Sequence, residues 1–156
     1  MNKVIVWVLS IGLFVGSCGG MLDVVGNTLY QEKADSLHKT AQRYTDFLAQ
    51  FGKATTGDLT PQMESLFAAD CNKIVNGRKV SGTIPELYAQ IVQAKINVGL
   101  WTIAIVTPFI ISPERNTVVA HYEIPTELQG TLVVIKFLLC NNKGLIKEIN
   151  EVFNKK

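Results

Sequence analysis

Histidine, cysteine and charge are all scarce in this chain, and each scarcity excludes something. There are 2 His and 3 Cys in 156 residues. His38 and His121 fall on different predicted elements, and nothing has metal-ligand spacing, so no structural metal site is expected. No Gly-x-Gly-x-x-Gly, phosphate-loop or repeat pattern occurs, and no cofactor is implied. Charged residues make up 18% and the formal charge is +2. That balance gives no general drive toward nucleic acid, which is not expected as a partner. What is present is apolar material, 47% of the chain. A single domain of this size can bury a core without disulfides or metals.

The apolar excess begins at the N-terminus. Met1-Asn2-Lys3 is a short basic start, residues 4–15 are apolar apart from Ser10 and Gly12, and Gly16-Ser17-Cys18-Gly19-Gly20 is a run of small residues. Charge, apolar run and small-residue exit form the layout of a secretory signal. Removing Lys3 with the leader leaves 14 Lys+Arg against 13 Asp+Glu, a net of +1. Val15-Gly16-Ser17-Cys18 resembles a bacterial lipoprotein box, although Leu and Ala are commoner at its first two positions. The resemblance implies that Cys18 is acylated and becomes the mature N-terminus, and the lack of Asp after it points away from inner-membrane retention. The alternatives are ordinary cleavage with release, or an uncleaved anchor, since residues 4–22 carry no charge. The expected organisation is a signal over 1–18, a tether over 19–32 and a folded domain over 33–156.

Within the domain, Leu37, Ala41, Tyr44, Leu48 and Phe51 recur at helical spacing, widened by Phe47, and Gly52 suits a left-handed helix end. Thr60-Pro61 predicts the start of a short helix through Met63, Leu66 and Phe67. Residues 71–80 read as a short strand with a turn at Asn76-Gly77. Thr83-Ile84-Pro85-Glu86 is a capping box opening a helix along Leu87, Tyr88, Ile91, Ala94 and Val98, which Gly99 ends. From residue 100 the pattern turns to β, with strands over 100–111, 117–124, 131–140 and 145–153 separated by short polar turns. Helices followed by an antiparallel meander predict an α+β domain.

This order, a long amphipathic helix, a short one leading into Leu66-Phe67-Ala68-Ala69-Asp70, a Gly-bearing connector, a third helix and a meander ending on Lys143-Gly144-Leu145-Ile146-Lys147-Glu148-Ile149, resembles the nuclear transport factor 2-like superfamily, also called SnoaL-like or ketosteroid-isomerase-like. The resemblance implies a cone, with a curved antiparallel sheet wrapped around the helices and a pocket at one end. Its members include isomerases, cyclases, dehydratases, carriers and assembly domains, so the fold leaves function open.

Enzymes of this fold place an Asp, Glu, His or Tyr in an apolar pocket, where burial shifts its pKa. Strand parity puts Val118, Ala120, Tyr122 and Ile124 inward and His121 with Glu123 outward. Asp70, His121 and Glu123 are the catalytic candidates, each against a plainer role as a cap or a solvated pair. Tyr44, Tyr88, Trp101 and Tyr122 are the candidate ligand-lining residues, each against plain core packing. Glu148 and Glu151 lie on opposite strand faces, so at most one can face a pocket. Cys71 and Cys140 stand as either a disulfide or two buried thiols, and a Cys–His nucleophile would need His121 beside one of them. In residues 131–140, Val133, Ile135, Phe137 and Leu139 form a wholly apolar face. Lys136 shares the other face with Leu132, Val134, Leu138 and Cys140. Two apolar faces on one strand predict a homodimer through the sheet, or a cover from residues 21–30, with Lys136 at the rim or paired, Glu123 being one partner.

The leading expectation is a non-catalytic, lipid-anchored protein on the periplasmic side of a bacterial membrane, outer rather than inner, or a secreted one. Its domain would bind a small apolar ligand or a protein partner. The runner-up is an isomerase, dehydratase or cyclase on an apolar carbonyl compound, and the third reading is an envelope or secretion-system assembly subunit.

Overall fold

The computed structural model describes the backbone of residues 4–54 and 57–156 and the side chains of residues 26–54 and 57–156. Its elements are α1 (Val4–Phe51), α2 (Thr60–Leu66), β1 (Phe67–Val75), β2 (Arg78–Ser81), α3 (Ile84–Val98), β3 (Ala104–Ser112), β4 (Thr117–Thr126), β5 (Gly130–Cys140) and β6 (Ile146–Lys155). The chain divides into two units, Met1–Lys33 and Ala34–Lys156. The first is the leading part of α1, so the segment read as a tether is helical. The Cys18 side chain, with the rest of the expected leader, lies outside the described residues. Among the described residues no helix is long and apolar enough to cross a membrane.

The second unit is α+β, with helices packed on a curved, open six-stranded sheet of order β2-β1-β6-β5-β4-β3. The pairs from β3 to β6 are antiparallel, as the meander pattern predicts. The sheet as a whole is mixed, because β1 joins β6 in parallel. Local pattern does not announce that joint, since its two strands lie at opposite ends of the domain sequence.

Local chemistry explains most boundaries. The stripe Leu37, Ala41, Tyr44, Phe47, Leu48 and Phe51 is buried throughout, each large side chain contributing on the order of 2 kcal/mol by leaving water. Gly52 is not in the left-handed region. It is small because a Cβ there would meet the Trp101 carbonyl and indole. Thr60 is the first residue of α2 and not its cap; the cap position is Leu59, with no side-chain cap bond, and the Asp58 carboxylate accepts the Thr60 N–H at 2.9 Å. The helix stops at Leu66 and Phe67 is already extended, which moves Asp70 from a helix end into β1. Asn76 and Gly77, at φ 47° and 80°, make the β1–β2 turn. Both central residues in the left-handed region is the twist-compatible hairpin geometry. Thr83 Oγ1 accepts the Glu86 N–H, and Glu86 Oε2 accepts from Gly82 N, one residue before the expected partner.

On the sheet, Val118, Ala120 and Tyr122 are buried as parity predicts. Their register partners on β5 are Leu138, Lys136 and Val134. Directly opposed residues share a face, so the β5 face that carries Lys136 is the inner one. Ile135 and Phe137 are exposed on the outer face.

Candidate functional site

Three adjacent strands bring three charges together inside the domain. Lys136 on β5 and Glu151 on β6 are register partners. Lys73 on β1 lies opposite Ile149, two positions before Glu151 on the same face. Lys136 Nζ is 2.8 Å from Glu151 Oε2, and Lys73 Nζ is 3.6 Å from the same oxygen. Neither approach is aligned as a hydrogen bond, so the attraction is that of ion pairs. From α1, Tyr44 accepts a hydrogen bond from Lys136 at 2.9 Å. The Lys136 and Glu151 side chains are only 5% and 12% exposed, far from the solvated state that charged groups usually keep.

The three charged residues line one side of a cavity of ≈340 Å³. Its apolar wall comes from Ile91 and Val98 of α3, Trp101 and Ile103 beyond it, and Leu132 and Val134 of β5. Trp101 is fixed by an indole N–H donated to the Leu48 carbonyl at 2.9 Å and by stacking on Phe51, 4° from parallel. The exposed Asn97 and Gln129 add a polar edge. Among the described residues no three His, Cys, Asp or Glu side chains converge as metal ligands do.

Burial and pairing set the charge states. Burial alone pulls the Lys136 ammonium pKa down, but Glu151 and Tyr44 outweigh it and the value ends above that of an ordinary lysine. Burial pushes the Glu151 carboxyl up, yet Lys136 and Lys73 reverse this and hold it at about 2. The buried Tyr44 phenol is pushed above its ordinary value, against the pull of Lys136. Lys73 differs in direction: burial lowers its pKa, the Lys136 charge adds to the lowering, and Glu151 compensates only in part.

Comparison with family models and with curated proteins finds no match. Solved structures do match. A SnoaL-like family protein from Agrobacterium tumefaciens aligns with 77% of this chain and 98% of its own, at TM-score 0.63 and 12% identity. An NTF2-like protein from Exiguobacterium sp. 255-15 aligns over 75% and 99%, at TM-score 0.62 and 15% identity. The chain has the NTF2-like fold. The pinacolase BvnE from Penicillium brevicompactum is a further neighbour, at TM-score 0.62 and 16% identity over 78% of this chain and 85% of its own. At such identities the likeness carries the fold and not an activity.

In this NTF2-like domain, Trp101 lines the cavity. Tyr44 stands behind Lys136. Tyr122 is buried with its hydroxyl 2.8 Å from Thr45 Oγ1. Tyr88 lines a separate groove with Phe51, Lys95 and Leu100. The catalytic candidates are not brought together at the cavity. Asp70 is exposed on β1, His121 points to the outer face, and Glu123 pairs there with Lys156 at 2.8 Å. The carboxylate that Lys136 needs is therefore Glu151 and not Glu123. Cys71 and Cys140 are free, buried thiols, pushed up by burial to about 12 and about 11, which keeps them protonated and poor nucleophiles. Sequence reasoning missed Lys73 altogether; it expected Lys136 at the rim or paired with a carboxylate, and at most one of Glu148 and Glu151 facing a pocket, without joining the two into a site. The available signal was the pairing of parities: with Tyr122 inward, the Lys136 face of β5 is inward too, and a buried lysine requires a carboxylate.

Proposed function

We propose that this chain is an exported protein, anchored through an acylated Cys18 on the periplasmic side of a bacterial membrane, whose NTF2-like domain binds a small, mainly apolar ligand without transforming it. The observation that carries the binding reading is the cavity itself. It has the size and make-up of a ligand site, apolar walls with a few converging polar groups. An acid–base catalyst needs a group that titrates near the working pH. Glu151, Lys136 and Tyr44 have all moved away from neutrality, which supports a holding site over a proton-transfer site. An open cavity also counts against the assembly reading, for which a filled cone is expected.

Binding is tested with the fluorescent probe N-phenyl-1-naphthylamine, comparing wild type with a cavity-filling Val134→Trp. Saturable fluorescence in wild type, lost in the variant, is the expected result. Absent or unchanged binding in both would overturn the reading. Export is tested by labelling cells with a palmitate analogue, where equal labelling of wild type and Cys18→Ala would remove the anchor.

One observation favours the enzyme reading. Lys73, with its lowered pKa, is an amine beside an apolar wall, the setting in which lysine serves as base or carbonyl-reactive nucleophile. Trapping with borohydride and an apolar ketone tests it. A covalent adduct on Lys73 would replace the carrier by an isomerase, dehydratase or cyclase of apolar carbonyl compounds.

A further inference from the structure

The cavity holds an unbalanced charge. Two ammonium groups share one carboxylate, and they share one oxygen of it, with Lys136 at 2.8 Å and Lys73 at 3.6 Å from Glu151 Oε2. Lys136 has the closer ion pair and also donates a hydrogen bond to Tyr44 at 2.9 Å. For Lys73, the long ion pair is the one polar contact of its ammonium among the described residues, and it reaches an oxygen already occupied by the closer lysine. An ammonium with hydrogens left over beside an apolar wall is costly unless something anionic meets it.

A second polar group nearby is also unsatisfied. Ser81 is the register partner of Lys73 across the β1–β2 hairpin. Its hydroxyl is buried and has no hydrogen-bond partner among the described residues. The cluster thus offers one surplus positive charge to the cavity, which Ser81 itself does not line.

Resting on the reading of the cavity as a ligand site, we infer that its ligand is an apolar monocarboxylate, with the carboxylate on the Lys73 ammonium and the hydrocarbon against Trp101, Ile91 and Val134. A carboxylate would complete an alternating row, ligand–Lys73–Glu151–Lys136, in which each cation has an anion of its own. It would also bring the net charge of the row to zero, the arrangement a low-dielectric site favours. A neutral ligand leaves the surplus charge in place, and a cationic one adds to it. Size narrows the class. At ≈340 Å³ the cavity lies at the low end of small-molecule sites, which suits a medium-chain acid or a small aromatic acid.

The test is isothermal titration calorimetry of the full chain in detergent, with octanoate, 1-octanol and octylammonium, each corrected by a detergent blank. Octanoate should bind about tenfold or more tighter than octanol, the range added by a charge-assisted hydrogen bond, and octylammonium weakest. Lys73→Met should abolish the preference for octanoate while leaving octanol binding within about twofold. Lys73→Arg should keep the preference, and Lys147→Met, a change at an exposed lysine, should leave it untouched. The melting temperature of each variant is followed beside the titrations. If octanoate and octanol bind equally to wild type, the carboxylate inference fails and the ligand site stands. If Lys73→Met retains the preference, Lys73 is not the anchor and the inference fails as well. If none of the three binds, the ligand-site reading falls with it.

Discussion

Lys73 and Lys136 approach the same carboxylate oxygen, yet their removal should have different consequences. Lys136 joins strand to helix through Glu151 and Tyr44. Lys136→Met leaves the phenol without its donor and Glu151 with only the distant lysine, and breaking a buried pair of this kind costs about 3–5 kcal/mol. Lys73 carries a desolvation penalty that one 3.6 Å contact offsets only in part. Lys73→Met should therefore be near neutral or stabilising, the usual trade between stability and a functional charge. Urea unfolding of both variants checks this ranking, and equal losses would contradict it. The pH dependence follows from the same groups. The Glu151 pKa falls from 4.5 to about 2 on folding, so its contribution is fully present above 4.5 and is lost as pH drops toward 2. Lys136 moves above 10.5, so its contribution is complete below that value and fades only as pH rises through the higher folded one. Wild type should hold a plateau from about pH 4.5 to about pH 9, above which the unfolded Cys71 and Cys140 thiols ionise while burial keeps the folded ones protonated, and in Glu151→Gln the loss of stability on acidification below 4.5 should shrink.

At the scale of elements, parity worked where a strand had one polar face and failed where both were apolar. β4 alternates Ala120 and Tyr122 with His121 and Glu123, and its inner face was legible. β5 has Val133, Ile135, Phe137 and Leu139 on one side and a lone lysine among apolar residues on the other, so hydrophobicity alone ranks the wrong face inward. Only the register with β4 corrects it, and register is a property of two strands, not one. The site was illegible for the same reason. Lys73 and Glu151 are 78 positions apart in sequence, and the parallel β1–β6 pairing that joins them leaves no local turn signal. Helix ends read better, because caps are local: Thr83 and Gly99 act as expected. Gly52, expected to close α1 in the left-handed region, is not in that region. Its lack of a side chain admits Trp101 rather than a left-handed turn. Gly52→Ala should thus strain the packing by about 1–3 kcal/mol and displace the indole from the cavity wall. The variant should show both a lower melting temperature and weaker probe binding; a stability loss with unchanged binding would mean that Trp101 holds its place by other contacts.

On the scale of the whole molecule, the outer face of the sheet is the feature that a lone copy leaves unexplained. Ile110, Val119 and Phe137 lie in one register row, and His121, Ile135 and Val152 in the next. Ile110, Phe137, Ile135 and Val152 are 66, 43, 39 and 51% exposed. These are neighbours on adjoining strands, not scattered side chains, and soluble monomers seldom keep such a patch bare. Antiparallel sheet faces bury well against one another, and a second copy presents the same rows, so a two-fold face-to-face contact is self-complementary. We propose that the domain forms a homodimer through this face. Phe137→Glu places a charge in the centre of the patch with its neighbours Val119 and Ile110, while leaving the inner face and the Lys73–Glu151–Lys136 cluster unchanged. Sedimentation equilibrium of a chain starting at Gly19 should give a dimer for wild type and a monomer for Phe137→Glu, both with the same octanoate affinity. A wild-type monomer at every concentration would defeat the dimer. A cover in cis from residues 21–30, the alternative that the sequence offers, does not fit the structure, in which these residues belong to α1 and residues 26–30 are exposed.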